Sequence, residues 1–313
     1  MKITNEITIK NIPDYVSYPK KFANYRWFKP LLTMLLSVGF TVAFTVIVAI
    51  VTFVIDRNAV TNALNGSYST MDPYSAAGAI ITFGTVAVIL PAIMLANRIV
   101  NGRPFSSYSS SRGGFDLKAF FKSFGAAVLL LVLPVALITI LTEKNTGNIQ
   151  FSVAGIILCA VICPIQCIAE EYMCRALVMQ AVGSWVKIPI VAIIVQAVVF
   201  AVLHPYNLVG VITIFLIGII YGAMTVITKG VEASCALHIA DNMTVFFLCG
   251  FGFGAISSEV GVIDSCITVG LSLLYLCFIV FADKRLGWFS KVKNSAAKNS
   301  EKSINETLPY AAV

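Results

Sequence analysis

Three short clusters of polar residues interrupt apolar stretches in the second half of this 313-residue chain. The first holds Glu170 and Glu171, followed by Arg175, and the other two hold the only histidines of the sequence, His204 and His238. Ionisable side chains inside a bilayer cost free energy and usually face a cavity or one another, so they are functional candidates. A carboxylate together with two imidazoles predicts one buried acid–base site.

The spacing of the first cluster separates its two acids. On a helix, Glu171 and Arg175 lie on nearly the same face, where an ion pair would lower the cost of burying either charge. Glu170 is rotated by about 100° from Glu171 and can serve as a base toward another partner. The alternative is that these residues only mark the cytoplasmic end of a membrane span, with the acids solvated.

The two histidine clusters also have helical spacing. Phe200 and His204 share a face, and Pro205 predicts that the span ends or bends there, which at membrane depth is tolerated inside protein or beside a water-filled cavity. His238 and Asn242 share another face and offer hydrogen-bond donors toward one point, as stabilisation of an oxyanion requires. Ordinary packing of a lone histidine and ordinary interhelical hydrogen bonding are the alternatives.

The composition requires a membrane to hold these clusters. The chain is 58% hydrophobic and 12% charged, with a mean hydropathy of +0.88, whereas soluble domains carry about a quarter charged residues. Runs of about 20 apolar residues are long enough to span a bilayer. We therefore predict an all-α, polytopic membrane bundle of about eight helices. The predicted spans are residues 31–55, 76–96, 119–141, 151–169, 188–204, 208–228, 233–253 and 265–282.

The distribution of basic residues predicts the topology. Threaded through eight spans, 20 of the 22 Lys and Arg residues fall on one side, with Arg175 among them, and only Arg57 and Lys144 fall on the other. By the positive-inside rule, both termini are expected to be cytoplasmic. The net charge of +7 is then a topology signal. Basic residues dispersed among loops and tails do not form the single surface that nucleic-acid binding needs.

The expected organisation has three parts. Residues 1–30 form a basic cytoplasmic tail, residues 31–282 a membrane domain with its catalytic core at about 150–250, and residues 283–313 a disordered cytoplasmic tail rich in Lys, Asn and Ser. Gly218 and Gly222 make a face of small residues that lets helices approach closely and could draw three spans around one cavity.

The order E-E-x-x-x-R, F-x-x-x-H and H-x-x-x-N resembles the signature of the CPBP family. This family of intramembrane proteases groups type 2 CAAX prenyl endopeptidases with bacteriocin-processing and bacteriocin-immunity proteins. All three motifs are present in order, each on its own apolar segment. The stretch at residues 102–107 also resembles loops of many members. The resemblance covers roughly residues 150–250.

The resemblance implies roles for individual residues. Glu170 corresponds to the catalytic glutamate, which activates water with help from His204. His238 and Asn242 correspond to the pair that holds the scissile carbonyl as it becomes an oxyanion. The remaining motif residues are implied to order the site: Glu171, Arg175 and Phe200.

The resemblance leaves the cofactor open. The family is often described as metalloproteases, and Glu170, His204 and His238 carry groups that can ligate Zn²⁺. The same residues also serve a metal-free glutamate mechanism, which we favour.

Simple threading raises a geometric question, because His204 would end a span far from the depth of Glu170 and His238. Either the fourth span reaches Glu170 well before the interface, or residues 171–187 carry the start of the next span below the membrane.

The function predicted from the sequence is hydrolysis of a peptide bond at the cell membrane. The expected partners are the lipid bilayer and a membrane-associated peptide or protein, with or without a lipid group. CAAX-type processing, processing of a bacteriocin or pheromone, and self-immunity all fit the resemblance. The alternative is a non-enzymatic transporter or immunity partner, whose polar residues would conduct protons or bind a ligand.

Overall fold

Long apolar helices build the part of the chain that the structure describes, residues 14–65 and 72–289 of a computed structural model. Seven of these helices are long and apolar enough to cross a bilayer. The predicted all-α membrane bundle is confirmed, and the chain is a multi-pass integral membrane protein. The helices are α1 (Lys29–Ile55), α2 (Arg57–Leu64), α3 (Ala76–Val100), α4 (Leu117–Thr142), α5 (Val153–Val186), α6 (Pro189–Val202), α7 (Leu208–Thr228), α8 (Glu232–Gly250) and α9 (Val262–Leu286).

The surface of the bundle is apolar. On α1, the side chains of Leu35, Val38 and Val42 are exposed by 62%, 64% and 60%. Apolar surface on this scale is unfavourable in water and is what lipid tails contact. Toward the centre the burial increases, and α8, which carries His238, is the most buried of the seven long helices.

The fifth predicted span is not a full crossing. Helix α6 has 14 residues, about 21 Å at 1.5 Å per residue, against a hydrocarbon layer of about 30 Å. It ends at Val202, just before His204 and Pro205, as the proline predicts. The expectation of about eight spans is therefore met by seven long helices and one short helix among the described residues.

The fourth predicted span is much longer than expected. Helix α5 has 34 residues and continues to Val186 instead of ending near residue 169. The segment Tyr172–Val178 is π-helical, a distortion that often occurs at functional sites. Glu171 and Arg175 are both 0% exposed in the interior of this helix. The alternative that they mark a solvated helix end is wrong, and Arg175 is not a loop charge.

The loops at one end of the bundle carry nearly all the described basic residues, and we call this the basic end. There the Ser111 N–H donates to the Lys229 carbonyl at 3.0 Å, and Lys29 Nζ donates to the Asn101 carbonyl at 3.3 Å. These contacts join loops that the threading places on the predicted cytoplasmic side. The basic residues near this end are Lys20, Lys21, Arg26, Lys29, Arg98, Arg103, Arg112, Lys118, Lys122, Lys187, Lys229, Lys284 and Arg285.

The opposite, distal end joins the remaining loops. The Thr146 N–H donates to the Gly252 carbonyl at 3.0 Å, and the Asn207 N–H donates to the Ser258 carbonyl at 3.0 Å. The loops therefore form two sets, and the loops of each set contact one another. This is expected when successive helices cross the membrane in alternating directions. The last helix ends at Leu286, beyond the predicted boundary at 282. Residues 290–313 of the predicted C-terminal tail and residues 1–13 of the predicted N-terminal tail lie outside the described residues.

A buried ion pair holds the start of α8 at the basic end. Arg112 Nη2 lies 2.6 Å from Glu232 Oε2, and the two side chains are 2% and 0% exposed. The second oxygen of Glu232 accepts the Asp116 N–H at 2.9 Å. Breaking a buried pair of this kind typically costs about 3–5 kcal/mol, so the position of α8 is strongly tied to the loop before α4.

Helices α6 and α7 approach closely where the glycine face was predicted. A Cβ built on Gly218 would lie 2.9 Å from both Cα and Cβ of Ala197, and one built on Gly222 would lie 2.7 Å from Nε2 of Gln196. Gln196 Nε2 also donates to the Gly218 carbonyl at 2.7 Å. The predicted close packing is confirmed, and it brings Phe200 of α6 toward α7.

We expect Gly218→Ile to destabilise the protein by about 1–3 kcal/mol, because the added side chain must push the backbone of α6 away. Thermal unfolding in detergent measures this loss. Gly39→Ile is the matched control, since nothing lies within 4 Å of a Cβ at Gly39 and that position is exposed. Equal stability of the two variants would contradict the close contact.

Candidate active site

His238 lies between the two glutamates of the first motif. Its Nε2 is 3.3 Å from Glu170 Oε2, and its Nδ1 is 2.9 Å from Glu171 Oε1. Because an ionised carboxylate only accepts hydrogen bonds, Nδ1 carries the proton that is donated to Glu171. The other ring nitrogen is then directed at Glu170. Helices α5 and α8 are thus joined through one imidazole.

Arg175 stabilises the contact between Glu171 and His238 through its own contact with Glu171. Its Nη1 is 3.1 Å from Glu171 Oε1, which confirms the predicted ion pair. The guanidinium carbon lies 4.3 Å from the centre of the Phe200 ring and 5.0 Å from that of Tyr221. Aromatic faces stabilise a cation that has lost its water. The predicted supporting residue Phe200 therefore has a definite contact, and it reaches the site through Arg175.

The three motifs line one cavity. Its volume is about 650 Å³, and its wall includes Glu170, Phe200, His204, His238 and Asn242. The 3.3 Å contact between His238 and Glu170 is not aligned as a hydrogen bond, and Glu170 Oε2 is buried without a hydrogen-bond partner. A buried carboxylate oxygen in that position is expected to bind water or a polar group of a ligand.

His204 joins this cavity from the end of α6. Its Nδ1 lies 2.7 Å from the Phe200 carbonyl oxygen, and its ring centre is 4.7 Å from that of Phe200 and 5.8 Å from that of Tyr206. The question of depth has a simple answer. His204 lies at the depth of Glu170 because α6 is short and α5 continues well beyond Glu170. The first of the two alternatives, that the fourth span reaches Glu170 well before the interface, is therefore correct.

Asn242 also lies on the cavity wall, one helical turn beyond His238. Its Nδ2 is 3.4 Å from Oε1 of Gln166, a residue that is 7% exposed. An amide nitrogen carries two protons, so this contact leaves one N–H for a ligand. His238 and Asn242 share a cavity as expected, while the direct polar contacts of the His238 ring are to the two glutamates.

Sequence reasoning missed three wall residues: Gln166, Tyr221 and Asp241. Gln166 precedes Glu170 by one helical turn, so its polar side chain in an apolar run was a usable signal. Tyr221 lies on the glycine face of α7, three residues after Gly218. Asp241 directly precedes Asn242 in the sequence, but helical spacing alone does not show that the cavity is wide enough to include both.

The loop before α4 supports the segment that follows the glutamates. The Phe105 ring is stacked on that of Tyr172, with centroids 5.5 Å apart and planes at 14°, and Ser109 Oγ lies 2.6 Å from the Tyr172 hydroxyl. Arg103 lies over the Tyr108 ring at 3.5 Å. This loop contains the stretch at 102–107 and fixes the π-helical part of α5.

The possible zinc ligands Glu170, His204 and His238 are not gathered as a metal site in the described part of the chain. Within residues 14–65 and 72–289, no three His, Cys, Asp or Glu side chains converge as a metal would require. Catalytic zinc sites use three protein ligands at about 2.0–2.3 Å. Instead, His238 directs both ring nitrogens at carboxylates, and His204 directs Nδ1 at a backbone carbonyl. The side chains present do not fit a bound zinc ion.

Comparison with known proteins agrees with the geometry. Residues 150–244 match the family model described as type II CAAX prenyl endopeptidase Rce1-like. The chain is 29% identical over 175 residues to the uncharacterized protein YyaK of Bacillus subtilis (strain 168), an alignment covering 52% of this chain and 57% of that relative. The chain thus matches somewhat more than half of the relative's length. No solved structure matches at a significant level.

The matched segment extends from the start of α5 into α8 and contains all three motifs and the three wall residues that sequence reasoning missed. It does not include α1 to α4. Residues 150–244 therefore carry an Rce1-like domain, and this match supports the resemblance to the CPBP family of intramembrane proteases.

Proposed function

We propose that the chain is an intramembrane endopeptidase of the cell membrane that hydrolyses a peptide bond in a membrane-associated protein or peptide. The observation that carries this proposal is the continuous contact from Glu170 through His238 and Glu171 to Arg175, with Glu170 at the wall of a cavity of about 650 Å³. The substrate is either a CAAX-type tail or a bacteriocin or pheromone precursor.

Glu170 is the general base in this proposal. Its Oε2 is buried and lacks an aligned hydrogen bond, so a water in the cavity is its natural partner. Proton transfer to Glu170 creates the nucleophile that attacks the scissile carbonyl, and the same carboxyl group returns the proton to the leaving amine. General acid–base catalysis of this kind contributes about 10²–10⁴-fold to the rate. His204, on the same wall, assists in placing the water.

His238 and Asn242 stabilise the oxyanion. In this role His238 carries a proton on both ring nitrogens, because Nδ1 donates to Glu171 and Nε2 must donate to the oxyanion. Glu171 holds Nδ1 of His238 at 2.9 Å, which orients Nε2 toward Glu170 and the cavity. The free N–H of Asn242 is one helical turn away on the same face. Donors that are already oriented before reaction are effective in a site that excludes bulk water. No step of this mechanism uses a metal.

Arg175, Glu171 and Phe200 position the reacting groups. Arg175 balances the charge of Glu171, and the rings of Phe200 and Tyr221 stabilise the buried guanidinium. Since Glu171 in turn holds His238, a change at Arg175 reaches the reacting atoms through two contacts.

We expect Glu170→Gln to lower kcat by about 10²–10⁴-fold, because glutamine has nearly the same shape and cannot accept the proton. The assay follows cleavage of a peptide panel, farnesylated and unmodified, by protein reconstituted in liposomes, with and without a chelator. Asp56→Asn is the control, since asparagine retains the helix cap that Asp56 provides and the position is outside the cavity.

Cleavage by Glu170→Gln at the wild-type rate would remove the proposed mechanism. Loss of activity on adding the chelator would show that a metal takes part. A wild-type protein that cleaves no peptide, but in which Glu170→Gln alters transport or binding, would favour the transporter or immunity alternative.

We expect variants of the buried ion pair of Glu171 with Arg175 to differ in their effects on stability and on activity. Glu171→Gln alone leaves Arg175 buried without its counter-ion, and Arg175→Met alone leaves Glu171 in the same position, so each should cost about 3–5 kcal/mol. The double variant removes both charges and should recover much of that stability while remaining inactive, since His238 has lost its orientation.

Thermal unfolding in detergent and peptide cleavage, measured on the same samples, test this expectation. Arg285→Met is the matched control for loss of an arginine, since that side chain is exposed at the end of α9. Activity of the double variant at the wild-type level would show that the pair does not position His238.

A further inference from the structure

The cavity extends from Glu170 toward the distal end of the bundle. Beyond the site, its wall is formed by residues of the distal loops and of the distal helix ends: Glu143, Tyr206, Ser257, Glu259 and Asp264. Along α8 the wall continues from His238 to Cys249, near the distal end of that helix. The loops of the basic end contribute no residue to the described wall.

The side of the site toward the basic end is closed. The first turns of α8, on that side of His238, are completely buried, with Ala233, Cys235 and Ala236 each 0% exposed. Arg175 fills the space beside them, and the ion pair between Arg112 and Glu232 lies at the basic end itself. Among the described residues, the cavity that holds Glu170 therefore reaches the distal loops and none of the loops of the basic end.

The depth of the site limits what can reach it. His238 precedes the distal end of α8 at Gly250 by three helical turns, about 18 Å. It is less than two turns, about 9 Å, from the basic end of the same helix. An extended chain covers about 3.3 Å per residue. A substrate must therefore insert roughly five or six residues in extended form before a peptide bond lies beside Glu170.

The wall of the cavity is strongly acidic. Five carboxyl groups line it, and no Lys or Arg of the described chain does. Three of them lie near the mouth, where substrate would first arrive, and two lie deeper beside the site. A narrow space lined by one sign of charge raises the local concentration of ligands of the opposite sign. The carboxyl groups belong to Glu143, Glu170, Asp241, Glu259 and Asp264.

We propose that the active-site cavity is entered from the extracytoplasmic face of the membrane and selects a positively charged peptide segment. The distal end is extracytoplasmic because the basic residues are gathered at the other end. The inference rests on the proposed peptidase function for the reaction itself, while the side of access is a property of the fold. A cytoplasmic peptide tail would have to pass through the closed basic end to reach Glu170.

Thiol labelling in cells tests the side of access without using peptidase activity. The background variant is Cys249→Ser/Cys266→Ser/Cys277→Ser, because Cys249 lies on the cavity wall, Cys266 and Cys277 are exposed, and the other five cysteines are buried. In it, Ser257→Cys places a thiol at the cavity mouth, and Lys284→Cys places one at the basic end, both at exposed positions.

With a membrane-impermeant maleimide, we expect Ser257→Cys to be labelled in intact cells and Lys284→Cys only after permeabilisation. The reverse pattern would overturn the proposed side of access and leave the peptidase function untouched.

Peptides that share one cleavage sequence, but carry flanking Lys or flanking Glu residues, test the selection by charge. At low salt we expect kcat/KM to be about ten-fold higher for the Lys peptide. The double variant Glu143→Gln/Glu259→Gln should raise KM for that peptide with kcat unchanged, and Asp56→Asn should change neither. High salt should reduce the preference, because it screens exposed charges.

Equal kcat/KM for the two peptides, or preference for the Glu peptide, would overturn the selection by charge. Such a result would still show cleavage, so it is distinct from failure of the proposed function.

Discussion

The structure depends on keeping charged groups inside an apolar bundle. Glu171 and Arg175 are both fully buried in α5, and neither could remain there alone, since an unpaired charge in a low-dielectric interior costs several kcal/mol. Their pairing, with two aromatic rings on the guanidinium, makes the interior of α5 able to hold a carboxylate. That carboxylate orients His238, which in turn faces Glu170. The reactive residue Glu170 thus depends on the ion pair of Glu171 with Arg175 at the other end of this series of contacts.

The irregular parts of the bundle serve this arrangement. Helix α5 passes through the site, with its π-helical segment beginning directly after Glu171. Helix α6 stops early, which leaves His204 and the following residues to form the wall of a cavity. The close contact between Gly218 and Ala197 holds α6 against α7, and the rings of Phe200 and Tyr221 on these two helices both contact Arg175. At the basic end, Glu232 fixes where α8 begins.

Much of this could be predicted from the sequence because local spacing and composition determine it. Apolar runs predicted the bundle, the distribution of Lys and Arg predicted two unlike ends, and i, i+4 spacing predicted the ion pair of Glu171 with Arg175. The motif order predicted which residues share a site. The predicted end of α5 at residue 169 was wrong, since hydropathy does not show whether a helix continues through a polar cluster whose charges are paired.

The sequence by itself determined the fold class, the family resemblance and the candidate site residues, because each depends on residue type at fixed spacing along the chain. Only the tertiary structure decided that His238 bridges both glutamates, that Gln166, Tyr221 and Asp241 join the wall, and that the cavity is open toward the distal end. These are relations between helices far apart in sequence. They depend on helix length, rotation and depth, which arise when side chains pack and no single segment encodes them.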